Sequence, residues 1–432
     1  MAKPIRVLSV NTSDKNGGAA RAAFRIHCGV RSFLVDSQML VKEKQSNDET
    51  VISLDEFHPK NLFYSIFEYI QNKIKNKIQH YRWGKYPNRE TVFLSDLRSV
   101  SLNGALHKLD FDVLHLHWVN LRFLNLKELI KINKPIIWTL HDSWAFTGIC
   151  HYSYDCDKYV RECGSCPFLN SDNEHDLSRQ IWNQKNKIYS KLNLHIVTPS
   201  QWLADCVTKS GLFRAFPVTV IPNGLDTAVY SQGDKRLACE KFGIDVSRKI
   251  ILFGAINPNV DKNKGFSKLL EAVQYLEKIE TDDFVLAVFG TDKPIENIST
   301  RIPIYSLGYL NTDKSIVQAC SAADVMVVPS LSEVFGQTAS EAMACGTPVV
   351  AFNCTGIKEV VDHKITGYLA EPYSSKDLAN GIVWCLENNK DGVLSKNARK
   401  KVVDNYSLGI VAGKYIELYK SVFGLSEKSD RV

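Results

Sequence analysis

The strongest constraint on this chain is the way short apolar runs alternate with longer segments of helical periodicity. Ile5–Val10, Ser37–Val41, Phe111–His115, Ile136–Leu140 and Leu194–Thr198 read as strands, and Ala19–Val30 and a segment from Gln201 read as helices. Between the first strand and helix lies a polar, glycine-bearing loop, Asn11–Gly18. After Phe216 the pattern restarts. Val218–Ile221, Lys249–Phe253, Phe284–Phe289, Val325–Val328 and Val349–Phe352 are strands, with helical stretches at Phe266–Tyr275, Lys314–Cys320 and Ala339–Ala344. Repeated β-α units imply parallel sheets covered by helices on both faces. A chain of 432 residues exceeds one ordinary core. The expected fold class is therefore α/β, with two doubly wound domains, 1–215 and 216–407, facing each other across a cleft. Ligands in such sheets sit beyond the carboxyl ends of the strands. The last segment, Leu408–Phe423, has a helical pattern that can pack on either domain.

Charge narrows the function classes. The 53 basic and 47 acidic side chains leave a formal +6, too mild for nucleic acid to be the main ligand but compatible with a phosphorylated substrate. No secretory signal precedes the 11 cysteines and no run of about 18 apolar residues occurs. A cytoplasmic protein with reduced thiols is expected. One stretch, His58–Tyr86, places Leu62, Phe63, Ile66, Phe67, Ile70, Ile74 and Ile78 at helical spacing beside Lys60, Lys73, Lys75, Lys77, Arg82 and Lys85. It reads either as a peripheral membrane contact at the inner face or as an ordinary surface helix.

The most informative segment is Ala323–Phe352, A-D-V-M-V-V-P-S-L-S-E-V-F-G-Q-T-A-S-E-A-M-A-C-G-T-P-V-V-A-F. A buried strand ends at Pro329, a loop carries Glu333, and a helix begins near Gln337 with Glu341 about a turn inside. Phe335, Gly336, Gln337 and Thr338 offer backbone amides at a helix start, where a diphosphate is favoured. Gly336 permits close backbone approach. A carboxylate accepts hydrogen bonds from vicinal hydroxyls, which suits Glu341 to a ribose and Glu333 to a donor hexose.

This segment resembles the E-x7-E signature of glycosyltransferase family 4, retaining enzymes of the GT-B fold. The likeness continues through Gly17-Gly18, T-L-H-D at Thr139–Asp142, T-P-S at Thr198–Ser200, I-P-N-G at Ile221–Gly224 and K-G at Lys264-Gly265. The resemblance implies a transferase moving a hexose-type sugar from a UDP- or GDP-sugar to a saccharide or lipid-linked acceptor in polysaccharide biosynthesis. It also implies that 408–432 crosses back to the N-terminal domain. His141 would lie near the transferred sugar, Lys264 would neutralise the leaving diphosphate, and Gly17 and Gly18 would bring amides to it from the other domain. The family's usual second cation is missing: Gly254–Asn259 holds no arginine, so either Lys262 replaces it or one cation suffices. Retention needs no carboxylate nucleophile and no divalent cation, since the leaving phosphate oxygen can take the acceptor proton.

Cys150, Cys156, Cys163 and Cys166 follow His141 as C-x5-C-x6-C-x2-C, in a tyrosine-rich loop. A structural zinc, two local disulfides and unlinked buried thiols are the readings this spacing leaves open. Rival functions on the same fold are a nucleotide-sugar epimerase, a sugar phosphorylase and a non-catalytic binding module. A dinucleotide-dependent dehydrogenase is disfavoured, because no G-x-G-x-x-G follows a strand.

Overall fold

A computed structural model describes residues 4–57, 73, 77, 84–86, 101–258, 260–279, 283–292 and 300–429. The basic stretch 58–86 lies almost wholly outside the described residues. The chain divides into two compact units. One comprises Met1–Pro199, Leu203–Ile221 and Ala412–Val432, the other Ser200–Trp202 and Pro222–Val411.

The first unit is built on seven parallel strands: β1 (Arg6–Ser13), β2 (Asp36–Glu43), β3 (Val51–Ser53), β4 (Val113–Leu116), β5 (Ile136–Thr139), β6 (Leu194–Thr198) and β7 (Val218–Val220). Their order is β3-β2-β1-β4-β5-β6-β7. The chain thus winds outward from β1 and then, from β4, toward the opposite edge. That reversal leaves a crevice beyond the carboxyl ends of β1 and β4.

Two features of this unit differ from the sequence expectation. The first strand runs on through Asn11, Thr12 and Ser13, where polar residues suggested a loop. Their polarity is satisfied inside: Asn11 Oδ1 accepts from the Trp118 amide at 2.8 Å, and the Thr12 hydroxyl donates to the Trp118 carbonyl at 2.9 Å. The second difference is the boundary. β7 pairs with β6, Ile196 opposite Val218, so this strand completes the first sheet instead of opening the second. The division falls after Ile221, not after residue 215.

The final helix, Leu408–Ser429, belongs to the first unit from Ala412 onward. Tyr415 and Tyr419 are fully buried there. The Tyr415 hydroxyl lies 3.0 Å from Thr139 Oγ1, and that of Tyr419 lies 2.8 Å from His115 Nδ1.

The second unit has six parallel strands, β8 (Lys249–Gly254), β9 (Phe284–Phe289), β10 (Ile304–Ser306), β11 (Val325–Val328), β12 (Val349–Phe352) and β13 (Gly367–Ala370). They are ordered β10-β9-β8-β11-β12-β13, the same winding with its reversal between β8 and β11. Alternate residues of each central strand enter opposite core layers. Ile250, Leu252, Met326 and Val328 pack on one face, and Ile251, Phe253, Val325 and Val327 on the other. Both faces are covered, so the strands read as unbroken apolar runs.

Candidate active site

In the second unit, the loops leaving β8 and β11 meet at the reversal point. Lys264 ends a short turn, Lys262–Lys264, whose start is capped by Asp261 through the Asn263 amide. Gly265 follows with φ 67°, and a Cβ there would fall 1.8 Å from the Pro329 carbonyl oxygen. Only glycine lets the two loops touch so closely. Asn263 then staples them. Its carbonyl accepts from the Leu331 amide at 2.8 Å, and its Nδ2 donates to the Ser332 carbonyl at 2.8 Å. The result is a Lys264 Nζ–Glu333 Oε1 ion pair at 2.7 Å, reinforced by the Ser330 hydroxyl at 3.0 Å. The Glu333 side chain is 17% exposed and that of Lys264 28%, a shielded but reachable pair. Lys262, one of the two readings for the missing second cation, is exposed on the same turn.

The helix Gln337–Ala344 starts at Gly336, whose φ of 93° and close approach to Ile357 exclude larger residues. No side chain caps this end. The first turn of this helix, Gln337 and Thr338, lies close to Glu333 in the chain. Phe335 is buried edge-on against Tyr406 at 5.1 Å and anchors the turn. Glu341 is only 3% exposed. The Tyr230 hydroxyl reaches it at 3.4 Å and bonds Asp313 at 2.7 Å.

In the first unit, Gly17 precedes the helix Gly18–Arg31 with φ 87° and open space at its Cβ position. His141 lies just past β5. Its Nε2 is 3.2 Å from His117 Nδ1, and the two rings stack at 5.5 Å. His117 packs in turn on His115, 4.1 Å away. Burial pushes the His141 imidazole down to about 4 and that of His117 well below its ordinary value, so both are neutral near pH 7. His141 therefore acts as a neutral hydrogen-bonding group and not as a cation. His117 escaped the sequence reading. Its signal was the alternation Leu114-His115-Leu116-His117-Trp118, which sets His115 on β4 and His117 just past its end on the same side.

Asp142 organises the loop after β5. Its carboxylate accepts from the Trp144 amide at 2.8 Å, the Trp118 indole at 2.6 Å and His151 Nδ1 at 2.7 Å. Nearby, Lys185 is fully buried and donates to the carbonyls of Trp144, Thr147 and Gly148. Burial pushes its ammonium down to about 7.

The four clustered cysteines are free thiols. Cys150 and Cys166 pack in one buried cluster, and the neighbouring Cys150 thiol pulls the Cys166 thiol down to about 7. Cys163 instead accepts from the Gly148 amide at 3.2 Å. Among the described residues no three His, Cys, Asp or Glu are gathered to hold a metal ion.

Comparison with known proteins agrees with this architecture. Residues 234–401 match the family Glycosyl transferases group 1, and residues 68–229 match Glycosyltransferase Family 4. An Escherichia coli protein named as a colanic acid biosynthesis glycosyl transferase, WcaC, is 26% identical over 284 residues. That match covers 61% of this chain and 64% of the relative, so the chain spans just under two thirds of that protein's length. Sucrose-phosphate synthase from Thermosynechococcus elongatus superimposes with TM-score 0.65 at 18% identity, over 98% of this chain and all of that one. Anabaena HepE, solved with UDP and glucose, gives TM-score 0.62 at 18% identity, over 96% of this chain and 100% of that chain. At such identities the structures speak for the fold alone. Two parallel doubly wound units, the E-x7-E segment seated at a sheet reversal, and family matches along both halves converge: the chain belongs to the group 1, family 4 glycosyltransferases of the GT-B fold.

Proposed function

We propose that this enzyme moves a hexose-type sugar, with retention at the anomeric carbon, from a UDP- or GDP-sugar to a saccharide or lipid-linked acceptor in polysaccharide biosynthesis. The observation that carries the reading is the Lys264–Glu333 pair at the β8/β11 reversal, beside the uncapped helix start at Gly336. Lys264 and the helix amides meet the diphosphate, and Lys264 strengthens its hold as the leaving group gains charge. Glu341 takes the ribose hydroxyls, and Glu333 takes hydroxyls of the transferred sugar. The acceptor hydroxyl attacks the anomeric carbon as the carbon–phosphate oxygen bond breaks. Its proton passes to the departing phosphate oxygen, so no divalent cation and no carboxylate nucleophile are required. A relative named as a colanic acid biosynthesis glycosyl transferase supports a polysaccharide as product.

The test is a thermal-shift screen of nucleoside diphosphates and their sugars. A ligand at a hundred times its dissociation constant stabilises by about 2.7 kcal/mol. Glu341→Ala is expected to abolish the shift. Glu333→Ala is expected to keep it and lose turnover. Wild-type turnover in either variant would sink the assignment, and donor conversion without acceptor would favour an epimerase.

A further inference from the structure

The loop after β12 is laced, one residue after another, to the loop that carries Glu333. Cys354 Sγ lies 3.9 Å from the Ser330 carbonyl oxygen and 3.8 Å from that of Leu331. The Thr355 hydroxyl accepts from the Glu333 amide at 3.1 Å, and the Gly356 amide donates to the Glu333 carbonyl at 2.8 Å. Both main-chain polar groups of Glu333 are thus bonded to two adjacent residues of one turn. A Cβ at Gly356 would fall 2.2 Å from the Val334 carbonyl oxygen, so the two loops touch backbone to backbone.

That turn is strained. Thr355 has a φ of 49°, and among the described residues it is the one β-branched side chain with positive φ. Branching at Cβ disfavours the left-handed region, so a residue stays there only where its surroundings over-determine it. Glycine would adopt the same backbone without strain. What threonine adds is an oxygen, and that oxygen holds the amide of Glu333. The consequence reaches the side chain. With its main chain clamped, Glu333 sets Oε1 2.7 Å from Lys264 Nζ and 3.0 Å from the Ser330 hydroxyl. A misplacement of about 1 Å at a reacting centre can lower a rate about 10²-fold. We propose that Thr355 is a positioning residue, which grips Glu333 by its main chain so that the carboxylate meets Lys264 and the transferred sugar in one fixed place. This deepens the glycosyltransferase reading and rests on it only for the effect on turnover; the clamp itself is independent of the reaction.

The experiment uses the full chain and reads two quantities: hydrogen exchange at the Glu333 amide, and release of UDP from UDP-glucose with a panel of methyl hexosides as acceptors. Thr355→Val keeps the shape and removes the oxygen. It is expected to speed exchange at that amide tenfold or more and to lower kcat tenfold or more, while UDP affinity stays within twofold. Thr355→Ser, which keeps the oxygen, recovers most of both losses. Thr355→Gly relieves the backbone, so its urea midpoint stays near that of the wild type while exchange is fast and turnover low. A residue serving stability alone would move the midpoint and spare kcat. Unchanged exchange in Thr355→Val, or a kcat within twofold of wild type in both Thr355→Val and Thr355→Gly, overturns the proposal. If Thr355→Val fails to fold, Thr355→Gly carries the same comparison. If the wild type releases no UDP, or Glu333→Ala turns over like the wild type, the donor reading fails while the exchange rates still decide the clamp.

Discussion

At the residue scale, Lys264 and Glu333 hold each other at 2.7 Å in a partly shielded corner. Neither is there for stability, since an ion pair of this exposure contributes roughly 0–1 kcal/mol. Lys264→Ala is therefore expected to leave unfolding by urea nearly unchanged and to lower kcat about 10²-fold or more, the usual loss for one donor to a developing oxyanion. Steady-state kinetics beside a denaturant curve checks both halves. Gly265→Ala should behave in the opposite sense. Its φ of 67° and the Pro329 carbonyl at 1.8 Å force the loops apart, for a loss of about 2 kcal/mol or more. The sequence reading picked out both glutamates, Lys264 and His141 because E-x7-E, K-G and T-L-H-D are each local in sequence. Asn263 and Tyr230 were not. What they bond to lies in other segments, and nothing in their own neighbourhood announces it.

At the scale of elements, the final helix is tied to the first unit by polar as well as apolar contacts. Tyr419 reaches His115 Nδ1, while His115 Nε2 bonds Thr139 at 2.8 Å. Tyr419→Phe leaves a buried ring nitrogen without its partner, at a cost of about 1–3 kcal/mol. The urea midpoint should fall with no change in the slope of the transition, and an unchanged midpoint would contradict the argument. Strands buried along all or nearly all their length, such as β9, β11 and β12, were read from sequence with the bounds they have. β3, β10 and β13 were missed because each is short and carries partly exposed residues, which blurs the apolar run. Cys150 and Cys166, far apart in the motif, come together in one apolar cluster with Ile149, Leu169, Leu177 and Ile181, a packing that the spacing alone does not give.

For the whole molecule, buried neutral histidines set a pH dependence. Burial pushes His27 and His141 down to about 4 and His115 to about 3. Unfolded, each would titrate near 6.5, so between pH 6.5 and 4 the unfolded chain binds more protons than the folded one. Stability from these groups is complete above 6.5 and is lost as pH falls toward 4. The melting temperature should drop steadily across that window, and a flat profile would contradict the burial of these rings. The sequence alone determined the β-α alternation and the E-x7-E segment, because periodicity and short motifs are written in neighbouring residues. The order of strands in each sheet was decided only by tertiary structure, and with it the seating of Lys264 against Glu333 and of His117 against His141. Those pairings join residues 69 and 24 positions apart. Which strand lies beside which depends on how entire faces pack, and no local stretch of chain encodes that.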